Sequence, residues 1–332
     1  MSSLNDAALA DTRATLSDYL RIARLDHATK HIFIIPGIVL ALLLRPDHAQ
    51  AGVLQIVFGF LSAVALASAN YVINEWLDRN FDKYHPEKSY RAAVQKELSG
   101  ALVYAEYALF AAVGLGLAWM LNSTFFVVAI LFLISGLTYN VRPLRTKDVV
   151  FGDVLTESIN NPLRLMLGWA MVDPSSVPPV SVLLSYWFGG AFLMNAKRLA
   201  EFRDIVAEQG QAVLGLYRRS FRYYTERRLL VASLLYALFS MFFLAVFLIK
   251  HRVEYVLMFP MLSFLFAEYF ILALKENSVA RKPELLFRAR RMMLMVAITV
   301  GLFVLASLID MPFLNILTDQ SFIELPVRSG IM

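Results

Sequence analysis

The chain of 332 residues is 58% hydrophobic and 17% charged, against about 45–50% and about 25% in soluble domains. The excess is gathered in blocks of about 20 residues, which excludes a disordered chain or a coiled coil and fits a polytopic membrane protein better than a large soluble core. The absence of cysteine excludes disulfides, thiolate metal sites and cysteine nucleophiles, and the net charge of +5 is spread as membrane topology rather than as a nucleic-acid-binding patch.

Residues 1–29 are polar, carry Asp6, Asp11, Asp18 and Asp26, and contain no secretory signal. Apolar blocks then fall near 30–45, 53–75, 99–121, 123–141, 149–172, 180–197, 229–250, 254–274 and 291–310. The first is short for a span, and its helix could begin earlier, near Arg24. The pattern predicts an all-α polytopic membrane protein with nine transmembrane helices over residues 30–310. Residues 1–29 form a cytoplasmic segment and residues 311–332 an extracytoplasmic tail. No internal repeat is apparent. Of the 31 Lys and Arg, 26 fall in the N-terminal segment and the even-numbered loops; Arg45, Lys250, Arg252 and Arg328 lie on the other side, and Arg164 falls inside the fifth block. This bias places the N-terminus and the even-numbered loops in the cytoplasm, as expected for a multi-pass protein of the inner (plasma) membrane.

The second block runs without a break into Asn74-Glu75-Trp76-Leu77-Asp78-Arg79-Asn80-Phe81-Asp82. Asn74, Asp78 and Asp82 are spaced i, i+4, i+8, so they share one helical face with successive Cβ atoms about 6 Å apart. Two carboxylates and an amide at that spacing suit a hydrated Mg²⁺, a hard cation that usually keeps substrate phosphates in its shell. A solvated helix end whose acids pair with Arg79 and Lys83 fits the same spacing. Pro86 then stops the helix, and His85, Lys88 and Arg91 follow as cations for phosphate oxygens. Lys88 and Arg91 also read as topology anchors, and His85 as a structural histidine.

The sixth block ends in Asn195-Ala196-Lys197-Arg198-Leu199-Ala200-Glu201-Phe202-Arg203-Asp204. Lys197 and Glu201 are an i, i+4 pair, as are Asp204 and Glu208, and the run forms either the opposite wall of the same pocket or a collar of exposed salt bridges. Arg164 lies mid-block beside Asn160 and Asn161. An intramembrane Arg is costly unless it faces a polar cavity, so it is a functional candidate. Glu157, Asp153 and Glu268 are candidates on the same ground. Lys30 sits at the edge of the first span as an anion ligand or a topology anchor.

On these residues the chain resembles the UbiA prenyltransferase superfamily, whose members have nine transmembrane helices around a central cavity. The family's first aspartate motif, Asn-Asp-x-x-Asp-x-x-x-Asp, is matched by NEWLDRNFD with Glu75 in place of one Asp. The second acid-rich motif is matched only by KRLAEFRD, without its usual pair of aspartates. The chain is most similar to the branch of decaprenyl-phosphate phosphoribosyltransferase. That likeness rests on Tyr71 three residues before Asn74, on His85-Pro86-x-Lys88 and Arg91, on Lys197-Arg198-x-x-Glu201, on Arg164 and on Lys30. Tyr223 and Tyr224 match loosely, Ala92 stands where the branch has Pro, and the likeness covers roughly residues 20–290.

The resemblance implies a Mg²⁺-dependent transferase of cell-envelope biosynthesis, with 5-phosphoribosyl 1-diphosphate as donor and a polyprenyl phosphate as acceptor. Asp78, Asp82, Lys197 and Glu201 are then the catalytic candidates, with Asn74, Asp78 and Asp82 on the metal. Lys30, Tyr71, Asn74, His85, Lys88, Arg91, Arg164 and Arg198 are the substrate-binding set, and Lys30, Arg164, Lys197 and Arg198 could each hold either the acceptor phosphate or the sugar's 5-phosphate. An ordinary prenyltransferase acting on an aromatic acceptor shares the first motif, and a transporter or binding protein would account for Arg164 but not for the acids.

Overall fold

The computed structural model describes residues 13–49, 52–84, 88–275 and 289–319, without the side chains of 27–30. Among them the chain is helical, with no strand beyond an isolated bridge between Arg13 and Glu97. In chain order the helices are α1 Leu16–Ile22, α2 Ile35–Leu44, α3 Val53–Asp82, α4 Gly100–Leu121, α5 Ser123–Asn140, α6 Gly152–Ser158, α7 Asn160–Val172, α8 Val180–Gln209, α9 Glu226–His251, α10 Phe259–Leu274 and α11 Arg290–Leu308.

Every block expected from the sequence coincides with helix. Among the described residues six stretches are long and apolar enough to cross a membrane: α3, α4, α5, α9, α11, and α10 with the 3-10 turn before it. The other three blocks differ for local reasons. The first is a 3-10 helix from Leu25 to Ile34 that passes into α2 ahead of Pro36, so helical structure does begin next to Arg24. The fifth divides at Ile159 into α6 and α7, where the Asn160 amide donates to the Glu157 carbonyl at 3.0 Å and accepts from Ser135 at 2.8 Å. The sixth continues twelve residues past its apolar part, to Gln209, because the charged run after Asn195 contains no helix breaker.

Local chemistry sets several ends. Asn122 caps α5 by accepting from the Phe125 amide at 2.7 Å, and Thr225 caps α9 by accepting from Arg228 at 3.2 Å. Gly210, at φ +79°, ends α8 in a conformation that side chains disfavour. The chain there turns back through the short helical turns Leu214–Tyr217 and Arg219–Tyr223.

α3 packs along α4, and α8 along α9. The largest buried cluster joins α3, α5 and α7 through Leu66, Phe125, Phe132, Leu163 and Leu167. α2 and α7 touch backbone to backbone: a Cβ on Gly37 would stand 2.0 Å from the Leu165 carbonyl oxygen, and one on Gly168 2.1 Å from that of Ile34. Small residues allow this approach in membrane bundles, and it holds the turn carrying Arg164 against the first helix. Outward faces carry Leu102, Leu109, Trp119, Leu294 and Val300, all exposed, as a lipid-facing surface requires.

Candidate active site

One end of the bundle gathers the last turns of α3, the loop after α5, the extension of α8 and the turns before α9. Asp78, Phe81, Asp82, Lys88, Arg145, Lys147, Asp148, Glu201, Tyr217, Arg218 and Arg219 line a cleft there of about 390 Å³, counting its solvent-open part. Nine of these eleven side chains are charged.

The unbroken helix of α3 carries Asn74, Asp78 and Asp82 on one face. Asp78 accepts from Arg145 at 3.0 Å and from Lys147 at 2.5 Å. The Asn140 side-chain oxygen accepts from Lys147 at 2.6 Å and from Asn74 at 2.7 Å, which ties the two helices together beneath the acid. Arg145 has a left-handed backbone at φ +30°, an unfavourable region for a long side chain. Bonds to the Asn140 carbonyl at 2.8 Å, to Asp78, and to Asp148 at 3.2 Å hold it there. Arg91 pairs with Asp82. Glu75, the departure from the aspartate motif, is buried and held by Arg24 at 2.7 and 2.9 Å, so it faces the N-terminal segment rather than the cleft.

The opposite wall is a buried ionic cage. Arg198, 2% exposed, binds Asp153 at 3.2 Å, Glu157 at 2.9 Å and Glu201 at 2.9 Å. Asp153 also takes Arg218 at 3.0 Å, Ser220 at 3.3 Å and the Tyr224 hydroxyl. Tyr139 accepts from Arg218 at 2.9 Å and donates to Glu157 at 2.7 Å. These bonds fasten the segment after Gly210 over the cleft.

Burial lowers the Lys88 ammonium from 10.5 to about 7, with Glu201 and Asp82 opposing the shift. Its nitrogen lies 5.9 Å from the centre of the Tyr217 ring. Burial likewise lowers Lys147 to about 8, against the attraction of Asp78.

The cleft brings together four residues singled out from the sequence: Asp78, Asp82, Lys88 and Glu201. Asn74, Arg91 and Arg198 stand directly behind its walls, and Lys197 is half-buried near Glu157. Tyr71 and Arg164 lie deeper in the bundle. His85 and the Lys30 side chain lie outside the described residues. In the sequence Arg145, Lys147, Arg218 and Arg219 read only as part of the cytoplasmic basic bias, and Asp148 and Tyr217 carry no signal of their own. The signal available was position, since Arg145 and Lys147 follow the polar end of α5 at Asn140 within seven residues. Glu268 stands apart, beside Arg291 at 3.6 Å.

No group of three or more His, Asp or Glu among the described residues forms a ready metal cage. The two carboxylates that face the cleft from α3 nevertheless fit Mg²⁺, which commonly takes one or two carboxylates and completes its shell with water and substrate phosphate. Both acids are held by cations here, so metal entry would exchange those ion pairs.

Residues 32–290 match the UbiA prenyltransferase family. The fold is similar to that of a UbiA homologue from Archaeoglobus fulgidus bound to DMAPP and Mg²⁺, with a TM-score of 0.65 and 19% identity over 88% of this chain and all of that one. It is also similar to a digeranylgeranylglyceryl phosphate synthase, with a TM-score of 0.60 and 13% identity over 88% of this chain and 98% of the other. A curated relative, "Uncharacterized protein y4nM" of Sinorhizobium fredii (strain NBRC 101917 / NGR234), is 29% identical over 153 residues, which are 46% of this chain and only 28% of that protein. With the family match running through α2 to the start of α11 and the same fold around the cleft, the chain is a multi-pass membrane protein belonging to the UbiA prenyltransferase family.

Proposed function

We propose that the protein transfers the 5-phosphoribosyl group of 5-phosphoribosyl 1-diphosphate to a polyprenyl monophosphate and releases diphosphate, at the cytoplasmic face of the plasma membrane. The observation that carries this reading is the composition of the cleft. Asp78 and Asp82 share it with Lys88, Arg145, Lys147, Arg218 and Arg219, and among the described residues its uncharged lining is Phe81 and Tyr217. A hydrophilic donor with three phosphate groups suits such walls, whereas an isoprenyl chain gains nothing from them.

In this reaction the bond from C1 to the diphosphate oxygen breaks while a lipid phosphate oxygen bonds C1. The electron pair leaves with the diphosphate, and C1 passes through oxocarbenium character. The acceptor oxygen is already ionised, so no strong base is needed. Asp78 and Asp82 would hold Mg²⁺, which supplies neutralisation of the leaving group. Lys88 and Lys147, when protonated, would add positive charge beside it, and Arg218 and Arg219 on the cleft wall would serve as ligands for the sugar's 5-phosphate. Tyr217, Arg218 and Arg219, from the segment after Gly210, form one wall of the cleft.

Purified protein given labelled 5-phosphoribosyl 1-diphosphate, Mg²⁺ and polyprenyl phosphate should form a lipid-soluble, acid-labile product. Failure to do so, together with prenylation of an added aromatic acid, would establish the second reading. That reading, prenyl transfer from an isoprenyl diphosphate, draws support from the DMAPP complex of the Archaeoglobus homologue.

The Lys88 environment predicts a pH dependence. Below about pH 7 the free enzyme carries Lys88 charged; between 7 and 10.5 it carries the neutral amine and must take up a proton to hold an anion. The donor phosphates keep a nearly constant charge above pH 7, since second ionisations lie near 6. The donor KM should therefore rise above pH 7, by up to about tenfold per unit. Lys88→Arg, whose guanidinium stays charged, should flatten the rise. An equally steep profile in the variant would remove Lys88 from the donor site.

A further inference from the structure

Three arginines are buried in the described structure: Arg145, Arg164 and Arg198. Arg145 is held by Asp78, Asp148 and a carbonyl, and Arg198 by three carboxylates. Arg164 differs. It is 8% exposed, its Nε is buried without a hydrogen-bond partner, and no carboxylate of the described residues lies within ion-pairing distance. Its guanidinium stands 5.2 Å from the centre of the Phe132 ring, a contact that does not satisfy its N–H groups. The polar neighbours acting on it are Tyr71, Tyr186 and, with the least influence, Glu157. Glu157 is already bound by Arg198 and Tyr139.

An uncompensated guanidinium within a membrane bundle is costly. Here the backbone contact of α7 with α2, through Gly37 and Gly168, fixes the turn that carries it. A site that keeps such a charge at that cost is complete only with an anion.

We infer that Arg164 is the core of a second anion subsite that takes the phosphate monoester of the lipid acceptor, apart from the cleft that binds the donor diphosphate; Tyr71 and Tyr186 stand beside it, and the Tyr186 hydroxyl donates to the Phe33 carbonyl at 3.4 Å. The identity of the acceptor rests on the phosphoribosyl reading above. Position supports the assignment. Tyr71 lies two helical turns from Asp78 along α3, about 10 Å deeper. Displacement at C1 needs the attacking phosphate and the leaving diphosphate on opposite sides of the carbon, each about 3 Å from it in the near-attack geometry. The acceptor phosphate and the leaving diphosphate therefore need separate anion sites. A guanidinium fork also matches two phosphate oxygens at once.

The test is direct binding of tritiated farnesyl monophosphate to the purified full chain, without donor or Mg²⁺, compared with farnesol. Arg164→Gln should weaken monophosphate binding roughly tenfold or more and leave farnesol binding unchanged. Arg164→Lys should recover part of the loss, because it keeps charge without the fork. The empty Arg164→Gln protein should melt no lower than wild type, since the substitution removes an unpaired buried charge. Unchanged farnesyl monophosphate binding in Arg164→Gln would overturn the inference. So would loss of labelled-donor binding with lipid binding intact, which would place the sugar's 5-phosphate at Arg164. A lowered melting temperature with intact lipid binding would make the residue structural. If the labelled donor gives no product while farnesyl monophosphate binding still depends on Arg164, the subsite stands and the phosphoribosyl reading fails.

Discussion

Asp78→Asn and Asp82→Asn should each lower turnover by about two orders of magnitude or more, the usual scale for losing a charge-stabilising group at a leaving oxygen. Both substitutions keep the side chain's shape, so the folded, membrane-inserted protein should persist. The two acids nevertheless have different surroundings. Asp78 neutralises Arg145 and Lys147, and Asp82 neutralises Arg91. A loss at Asp78 could therefore arise from the freed cations rather than from the metal. Combining Asp78→Asn with Lys147→Met, measured against Lys147→Met alone because that lysine also stands beside the leaving group, separates the two causes, since the pair then lacks both charges. If Asp78 serves the metal, the double variant stays inactive and the single variants need more Mg²⁺ for half-maximal rate. Recovery of activity in the double variant would reduce Asp78 to a partner for Lys147, and full turnover by both single variants at ordinary Mg²⁺ would remove the metal site.

The membrane helices and the acid face of α3 were legible in the sequence because both rest on short-range periodicity. Apolar runs mark helices whatever packs against them, and i, i+4, i+8 spacing places Asn74, Asp78 and Asp82 together without any tertiary knowledge. The partners of those acids were not legible. Arg145 reaches Asp78 across 67 positions and Arg198 reaches Asp153 across 45, and a basic loop looks the same whether it anchors topology or lines a cleft. The division at Ile159 was hidden because α6 and α7 form one apolar block, with only Asn160 and Asn161 marking the joint. Glu75 stands in the sequence in place of one aspartate of the family's motif, and only its pairing with Arg24 shows that it turns toward the N-terminal segment. Arg164 was legible in the opposite sense: its cost in the membrane marked it, and the structure adds that no carboxylate among the described residues pairs with it.

Arg198→Ala should destabilise the protein by about 3–5 kcal/mol, the range for removing one partner of a buried ionic group. The sequence places Arg198 among candidate phosphate ligands, but its Nε, Nη1 and Nη2 atoms bind Asp153, Glu201 and Glu157 respectively. A phosphate could reach it only by displacing one of these carboxylates. Removing the guanidinium takes the shared cation from half-buried Glu157 and buried Glu201, while Arg218 still serves Asp153, so the loss should appear first in folding and only secondarily in substrate affinity. Thermal melting in detergent measures that loss. The distinguishing experiment pairs Arg198→Met with Glu157→Gln and Glu201→Gln, which removes the orphaned charges along with the cation. If Arg198 is the keystone of the cage, the triple variant should regain a large part of the stability lost by Arg198→Met, since neutral groups of similar shape replace a buried ionic cluster at little cost. An Arg198→Ala protein that melts like wild type but binds the donor weakly would show instead that its positive charge faces the substrate.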